Sequence, residues 1–304
     1  MTFRVTNQVM QSSLFRAITE SEQRAMRLQQ SLADGKAIHA PSDDPTQTSM
    51  AMWYGSQVRA QDQYGRNLDA AIRQLTTRES TLSQIQDVLG QIRSAQTSAA
   101  DDSLGADART ALSHELNQYL ESLVDLGNTT DAGTYIFGGG RSTEPPIVAQ
   151  RDAEGRITGV TVNSKGVTSA WTRMVGPDVS LVLHADAADV FGSKGGLFQQ
   201  VRDLRDALAA NDGDRVRAMT GSLQQWQEHV DLAETTAGSL IARANSMKEA
   251  TAQASTNFQA GRSAAEDVDM AKAAVESQVA QNALQAILTS GSRILQMGLL
   301  DYLS

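Results

Sequence analysis

The sequence contains no cysteine among its 304 residues, and this absence alone excludes several kinds of chemistry. Disulfide-stapled scaffolds, thiolate zinc sites and cysteine nucleophiles all need this residue. The four histidines lie far apart along the chain and form no local cluster for a metal ion. Aromatic residues make up only 5% of the chain and there are only five prolines, whereas alanine and glutamine are abundant. This composition suits long helices better than one thick globular core.

Positive charge is also scarce. The chain has 26 Lys and Arg residues against 35 Asp and Glu residues, which gives a net charge of -9. A chain this acidic repels a polyanion, so we expect no nucleic-acid partner. No apolar run approaches the roughly 18 residues of a membrane span, so membrane insertion is not expected. The first residues, Met-Thr-Phe-Arg-Val, lack the apolar stretch of a cleavable signal peptide.

Proline and glycine divide the chain into three parts. Proline occurs only at positions 41, 45, 145, 146 and 177, whereas glycine is concentrated between Gly127 and Gly196. Since proline breaks helices and glycine weakens them, the flanks are predicted to be helical and the middle is not. The predicted fold is mainly α: an elongated coiled-coil or helical-bundle rod with a small inserted β-rich domain, in an α+β arrangement.

Apolar residues in the flanks alternate at spacings of three and four, as in helices that pack along a coiled-coil-like partner. The longest such run begins at Val216 and ends at Met247. A helix over 46–99 would be ~80 Å long and one over 214–260 would be ~70 Å long. Asp44, directly before a proline, and Asp214 are predicted to cap these helices.

The middle part has the pattern of short strands. Residues 147–151 and 156–162 predict a β-hairpin around a turn at 152–155, and 179–183 is a further strand candidate. The predicted domains are a terminal coiled-coil assembly domain (1–45 and 265–304), a long-helix bundle domain (46–137 and 197–264) and an inserted β-rich outer domain (138–196).

No stretch carries the pattern of a catalytic, cofactor-binding or metal site. Residues 133–142 contain the glycines of a phosphate loop but lack its Lys-Ser/Thr pair. His114-Glu115 opens like a zinc-protease helix, but Gln118 stands where the second histidine is required. The chain is therefore predicted not to be an enzyme and to need no cofactor.

The two ends carry thin apolar stripes at helical spacing. An isolated pair of such helices buries little apolar area, while ordering costs ~1–2 kcal/mol per residue in backbone entropy. We therefore expect both ends to be disordered or frayed in the free monomer and to fold when neighbouring copies cover the stripes. The alternative is that they close the same bundle within one molecule. The predicted assembly residues are Leu14, Ile18, Leu28, Leu32, Val275, Val279, Leu284, Leu288, Leu295, Leu299, Leu300 and Tyr302.

Several segments of the sequence resemble the flagellin superfamily. They are residues 4–7 (Arg-Val-Thr-Asn), 32–36 (Leu-Ala-Asp-Gly-Lys), 40–45, 133–139, 267–271 and 292–303. Within that superfamily, Pro41-Ser42-Asp43-Asp44-Pro45 is the form typical of the hook–filament junction family. The ending Leu-Asp-Tyr-Leu at 300–303 also favours that family over the flagellins proper.

This resemblance implies a flagellin-like fold and a structural protein, exported through the flagellar type III channel without a cleaved signal peptide. It implies an extracellular ring of about eleven copies between the first hook-associated protein and the flagellin filament. The terminal helices would form an inner coiled-coil tube, the long helices an outer tube, and the β-rich domain the outside surface. A cytosolic export chaperone would bind the C-terminal helix. Two alternatives remain open here, namely flagellin itself and another coiled-coil structural protein of a secretion apparatus.

Overall fold

The computed structural model is 74% helical, and it describes residues 2–101, 104–139, 143–163, 172–183 and 187–303. Within these ranges, side chains are described except for residues 2–8, 11 and 293–303. The long helices and small antiparallel sheets confirm the predicted combination of a mainly α chain with an inserted β-rich part.

The helices follow the division made by proline and glycine. They are α1 (Thr2–Asp34), α2 (Pro45–Ala99), α3 (Ala106–Gly127), α4 (Ala187–Phe191), α5 (Gly196–Ala209), α6 (Gly213–Ala218), α7 (Thr220–Glu266) and α8 (Met270–Leu303). Helix α2 begins at a proline, whose missing N–H is not needed in a first helical turn.

The strands form two-stranded antiparallel sheets in the middle of the chain. They are β1 (Thr130–Asp131), β2 (Thr134–Tyr135), β3 (Ile147–Arg151), β4 (Ile157–Val162), β5 (Thr172–Gly176) and β6 (Val179–Val182), paired in chain order. The predicted hairpin is β3–β4, in which Ile147 pairs with Val162 and a bulge lies between Gln150 and Arg151.

One predicted helix start is wrong. The Asp212 carboxylate, and not Asp214, accepts the N–H of Arg215 at 3.0 Å and caps α6. The helix predicted over 214–260 is also interrupted, because α6 ends at Ala218 and α7 begins two residues later. Either neighbouring aspartate has the chemistry of a cap, so the composition of the turn did not distinguish them.

The chain divides into two compact units, residues 1–60 with 254–304 and residues 61–253. The core of the second unit is built from α2, α3, α5 and α7 with the β3–β4 hairpin and α4. Its centre contains Phe137, Phe191 and Phe198, all almost completely buried. Trp226 of α7 packs on this core but is only partly buried. The domain boundaries given by the sequence stay a prediction.

Candidate assembly surface

Helices α1 and α8 pack against each other in opposite directions within the first unit. Near the start of α1, Leu14 lies against Gly291, where an added Cβ would come within 3.0 Å of the leucine Cδ2. Beyond the end of α1, Lys36 forms an isolated antiparallel bridge with Asp267. Low residue numbers on one helix therefore meet high residue numbers on the other.

The side chains buried along this helix pair are small. Five of them are at most 8% exposed: Ala25, Ser31, Ala273, Ser277 and Ala280. Burying one methylene group contributes about 0.8 kcal/mol, so alanine and serine side chains add little to the stability of the pair. The contact inside one molecule is therefore narrow.

The predicted assembly residues fall into two groups on this pair. Five of them are half-buried between the helices: Leu14, Ile18, Leu28, Leu32 and Leu284. Val275, Val279 and Leu288 are instead largely exposed, with 65%, 61% and 47% of their surfaces in contact with solvent. The side chains of Leu295, Leu299, Leu300 and Tyr302 lie outside the described residues.

Other large apolar side chains are exposed on α1 and were missed by the sequence analysis. They are Val9, Met10, Phe15 and Met26, each more than half exposed. Phe15 follows Leu14 of the apolar stripe and so lies outside the helical spacing. The size of its side chain was the one signal in the sequence that could have identified it. Together with Val275, Val279 and Leu288 of α8, these four residues form what we call the exposed apolar surface.

A groove of about 440 Å³ runs along the helix pair next to these residues. Ala17 and Ser21 of α1 and Val275, Val279 and Ile287 of α8 contribute to its lining. Charged residues also border it: Glu20, Arg24 and Glu276. Such a groove accepts apolar side chains from another helix, because its small residues leave room and its valines supply contact area.

Backbone hydrogen bonds join the loop after α1 to the loop before α8. The N–H of Ala37 donates to the carbonyl of Glu266 at 2.7 Å, and the N–H of Val268 donates to the carbonyl of Gly35 at 2.9 Å. Lys36 Nζ adds an ion pair with Glu266 Oε1 at 3.0 Å. Gly35 has a φ of 75°, the left-handed conformation that commonly ends a helix. We call this connection the loop clasp.

Carboxylates also organise the loop between α1 and α2. Asp43 Oδ2 accepts the backbone N–H groups of Ala40 at 2.9 Å and His39 at 3.1 Å, which lower the pKa of Asp43. Asp34 Oδ1 accepts the N–H of Lys36 at 2.9 Å, and this bond with the nearby His39 ring lowers the pKa of Asp34. Asp43, the first aspartate of the Pro41–Pro45 motif, thus closes a turn.

The second aspartate of the motif caps α2, as predicted. Asp44 Oδ1 accepts the backbone N–H groups of Thr46 and Gln47, both at 3.0 Å. These are two of the N–H groups that a helix start leaves without a partner in the helix. The motif therefore has a structural reason for both of its aspartates.

Replacing the capping residue, Asp44→Ala, is expected to cost about 0.5–2 kcal/mol because two helix N–H groups lose their acceptor. Hydrogen exchange should then be faster at Thr46 and Gln47. Ser42→Ala is the matched control, since the Ser42 side chain makes no hydrogen bond among the described residues. Unchanged exchange in Asp44→Ala would show that water replaces the cap at no cost.

Among the residues that the structure describes, no group of three or more His, Cys, Asp or Glu is placed to hold a metal ion. In the same part of the chain, no helix combines the length and the apolar character that crossing a bilayer requires.

Residues 5–141 match the family described as the bacterial flagellin N-terminal helical region. The predicted resemblance to the flagellin superfamily is confirmed over these residues. Flagellar proteins of this superfamily are structural, which also confirms the prediction that this flagellin-like chain is not an enzyme.

Flagellar hook-associated protein 3 of Salmonella typhimurium is 32% identical over 146 residues, which cover 47% of this flagellin-like chain and 46% of that protein. The chain thus spans about half the length of the curated relatives it matches.

Solved structures share the flagellin-like fold. A Vibrio parahaemolyticus protein assigned to the flagellar hook-associated proteins has a TM-score of 0.64 at 20% identity, covering 73% of this chain and 99% of that one. Flagellar hook associated protein-3 of Legionella pneumophila has a TM-score of 0.59 at 14% identity, covering 69% and 97%.

Proposed function

We propose that the chain is a structural adaptor that joins the flagellar hook to the flagellin filament outside the cell. Its partners would be further copies of itself in a ring, the first hook-associated protein on the hook side and flagellin on the filament side. A cytosolic export chaperone would cover the C-terminal helix before export. The name of the Salmonella relative, hook-associated protein 3, supports this proposal.

The exposed apolar surface is the observation that carries the proposal. Phe15, Val275 and Val279 are 62%, 65% and 61% exposed, while the residues buried between α1 and α8 are alanines and serines. Large apolar side chains exposed on a water-exposed helix pair, two of them beside a groove, indicate a site of protein contact. Coverage by neighbouring subunits would remove these side chains from water and supply the burial that one molecule lacks.

This combination of large exposed and small buried side chains also supports coupled folding and assembly. Ordering each residue costs about 1–2 kcal/mol, and the small side chains buried within the pair offset only part of this cost. The terminal helices would therefore be weakly ordered in the free chain and firmly ordered in the assembled ring.

Hydrogen exchange on the free chain tests this proposal. Amides in residues 5–40 and 270–300 should exchange rapidly, while amides in α2 near Leu82 and Leu89, whose side chains are buried, should be protected. In isolated flagella, both regions should be protected. Strong protection of the terminal helices in the free chain would contradict coupled folding, and the absence of the chain from the hook–filament junction would contradict the adaptor role.

A further inference from the structure

Three arginines are buried among the described residues of the second unit, and two of them have hydrogen-bond acceptors for their guanidinium groups. Arg109 donates from Nη1 to Asn211 Oδ1 at 2.7 Å, and its other two nitrogens donate to backbone carbonyls. Arg205 donates from Nη2 to Asp206 Oδ1 at 2.7 Å and has further acceptors. These two arginines show how this fold normally accommodates a buried guanidinium.

The third buried arginine, Arg78 of α2, lacks such partners. It is 7% exposed, and its Nε and Nη1 atoms are buried with no hydrogen-bond acceptor among the described residues. Burial lowers the pKa of Arg78, while the charge of nearby Asp189 opposes that change. A guanidinium stays protonated in proteins, so burying its N–H groups without hydrogen-bond acceptors is unfavourable.

Arg78 lines a cavity of about 250 Å³ between α2, α4 and α7. The cavity wall also includes Val190, His229, Leu232 and Thr236. The neutral polar side chains of this wall are already engaged, since His229 Nε2 bonds to the Asp189 carbonyl and Thr236 Oγ1 donates to the Leu232 carbonyl. The Asp189 carboxylate, which also lines the cavity, is an acceptor and not a donor. The guanidinium is thus the hydrogen-bond donor of this wall that is left to bind a ligand.

We propose that this cavity is a carboxylate-binding site anchored by Arg78. The flat guanidinium matches a carboxylate with parallel N–H donors, and such charge-assisted bonds are about twice as strong as neutral ones. The exposed carboxylate of Asp189 borders the site, which favours a singly charged guest. The guest is either a small carboxylate from solution or an Asp or Glu side chain of a neighbouring protein, for which Leu232, 66% exposed, provides an apolar edge.

The first arm of the test compares thermal unfolding of the full chain in sodium acetate and in sodium chloride at equal ionic strength. The original chain should gain stability with acetate in a saturable way. Arg78→Met should lose this gain, corresponding to at least about tenfold weaker acetate binding. Arg73→Met, which removes the same charge from an exposed position of α2, should keep it. In chloride, Arg78→Met should unfold at the same or a higher temperature than the original chain, because it removes an uncompensated charge.

The second arm measures incorporation of the same variants into flagella and rests on the proposed function. If acetate has no specific effect but Arg78→Met alone incorporates poorly, the guest is a side chain of a neighbouring subunit. Acetate binding that depends on Arg78 supports the carboxylate-binding site even if the adaptor role at the hook–filament junction is contradicted. The proposal is overturned if neither arm distinguishes Arg78→Met from Arg73→Met, or if Arg78→Met is destabilised equally in both salts, since Arg78 would then pair within the chain.

Discussion

The substitution Val279→Glu is expected to abolish incorporation of the chain into flagella while leaving thermal unfolding of the free chain unchanged. Val279 is 61% exposed and lines the groove of the helix pair, so a glutamate there remains hydrated in the free molecule. Covering that carboxylate with a neighbouring subunit buries a charge without a partner. Such burial costs about 3–5 kcal/mol, or roughly a hundredfold to several thousandfold in affinity.

Labelled chain counted in isolated flagella measures this effect. Gln278→Glu is the matched control, because it places the same charge at the adjacent exposed position of α8. Normal incorporation of Val279→Glu would show that this part of the exposed apolar surface stays in water after assembly. A lower unfolding temperature of the free variant would show that the valine packs within its own molecule.

The substitution Phe191→Ala is expected to destabilise the second unit by about 3–5 kcal/mol, the usual cost of removing a buried phenylalanine ring. Phe191 is completely buried, with its ring centre 5.7 Å from that of Phe137 and 5.1 Å from that of Phe198. Gly127 faces the same ring, because a Cβ at that position would come within 3.2 Å of it. Loss of the ring therefore leaves a cavity at the centre of the core.

Urea unfolding followed by circular dichroism gives the change in free energy. Val148→Ala is the control, since Val148 lies on β3 in the same unit but is 52% exposed, and a surface change costs about 0.5 kcal/mol or less. A loss below about 1 kcal/mol for Phe191→Ala would mean that α4 is dispensable for the core.

Long helices and the main hairpin were predictable because their signals are repeated many times along the chain. The proline-free flanks and the three–four spacing extend over dozens of residues, and strands β3 and β4 alternate around a glycine turn. Helix α4 and strand β5 are only five residues each, so they carry no periodic signal. Their positions depend on packing against α2, α5 and α7, which local sequence does not encode.

The sequence predicted which helices carry the candidate site, but not which sides of those helices are buried and which are exposed. Large apolar residues define the stripe in the sequence, whereas α8 buries Ala273, Ser277 and Ala280 and leaves Val275 and Val279 in water. Two helices approach closely where small residues meet, and hydrophobicity alone gives such positions little weight. The unpartnered guanidinium of Arg78 was equally hidden, because its surroundings come from three separate helices.

The loop clasp joins two residues 230 positions apart, since Lys36 and Glu266 pair across almost the entire polypeptide. During synthesis α1 is made before α2–α7, and its partner α8 is made after them. The second unit can therefore become compact while α1 is still without its partner helix, because closing so long a loop is slow. A chain cut short before Glu266 would therefore leave α1 without its partner helix and Lys36 without its ion pair.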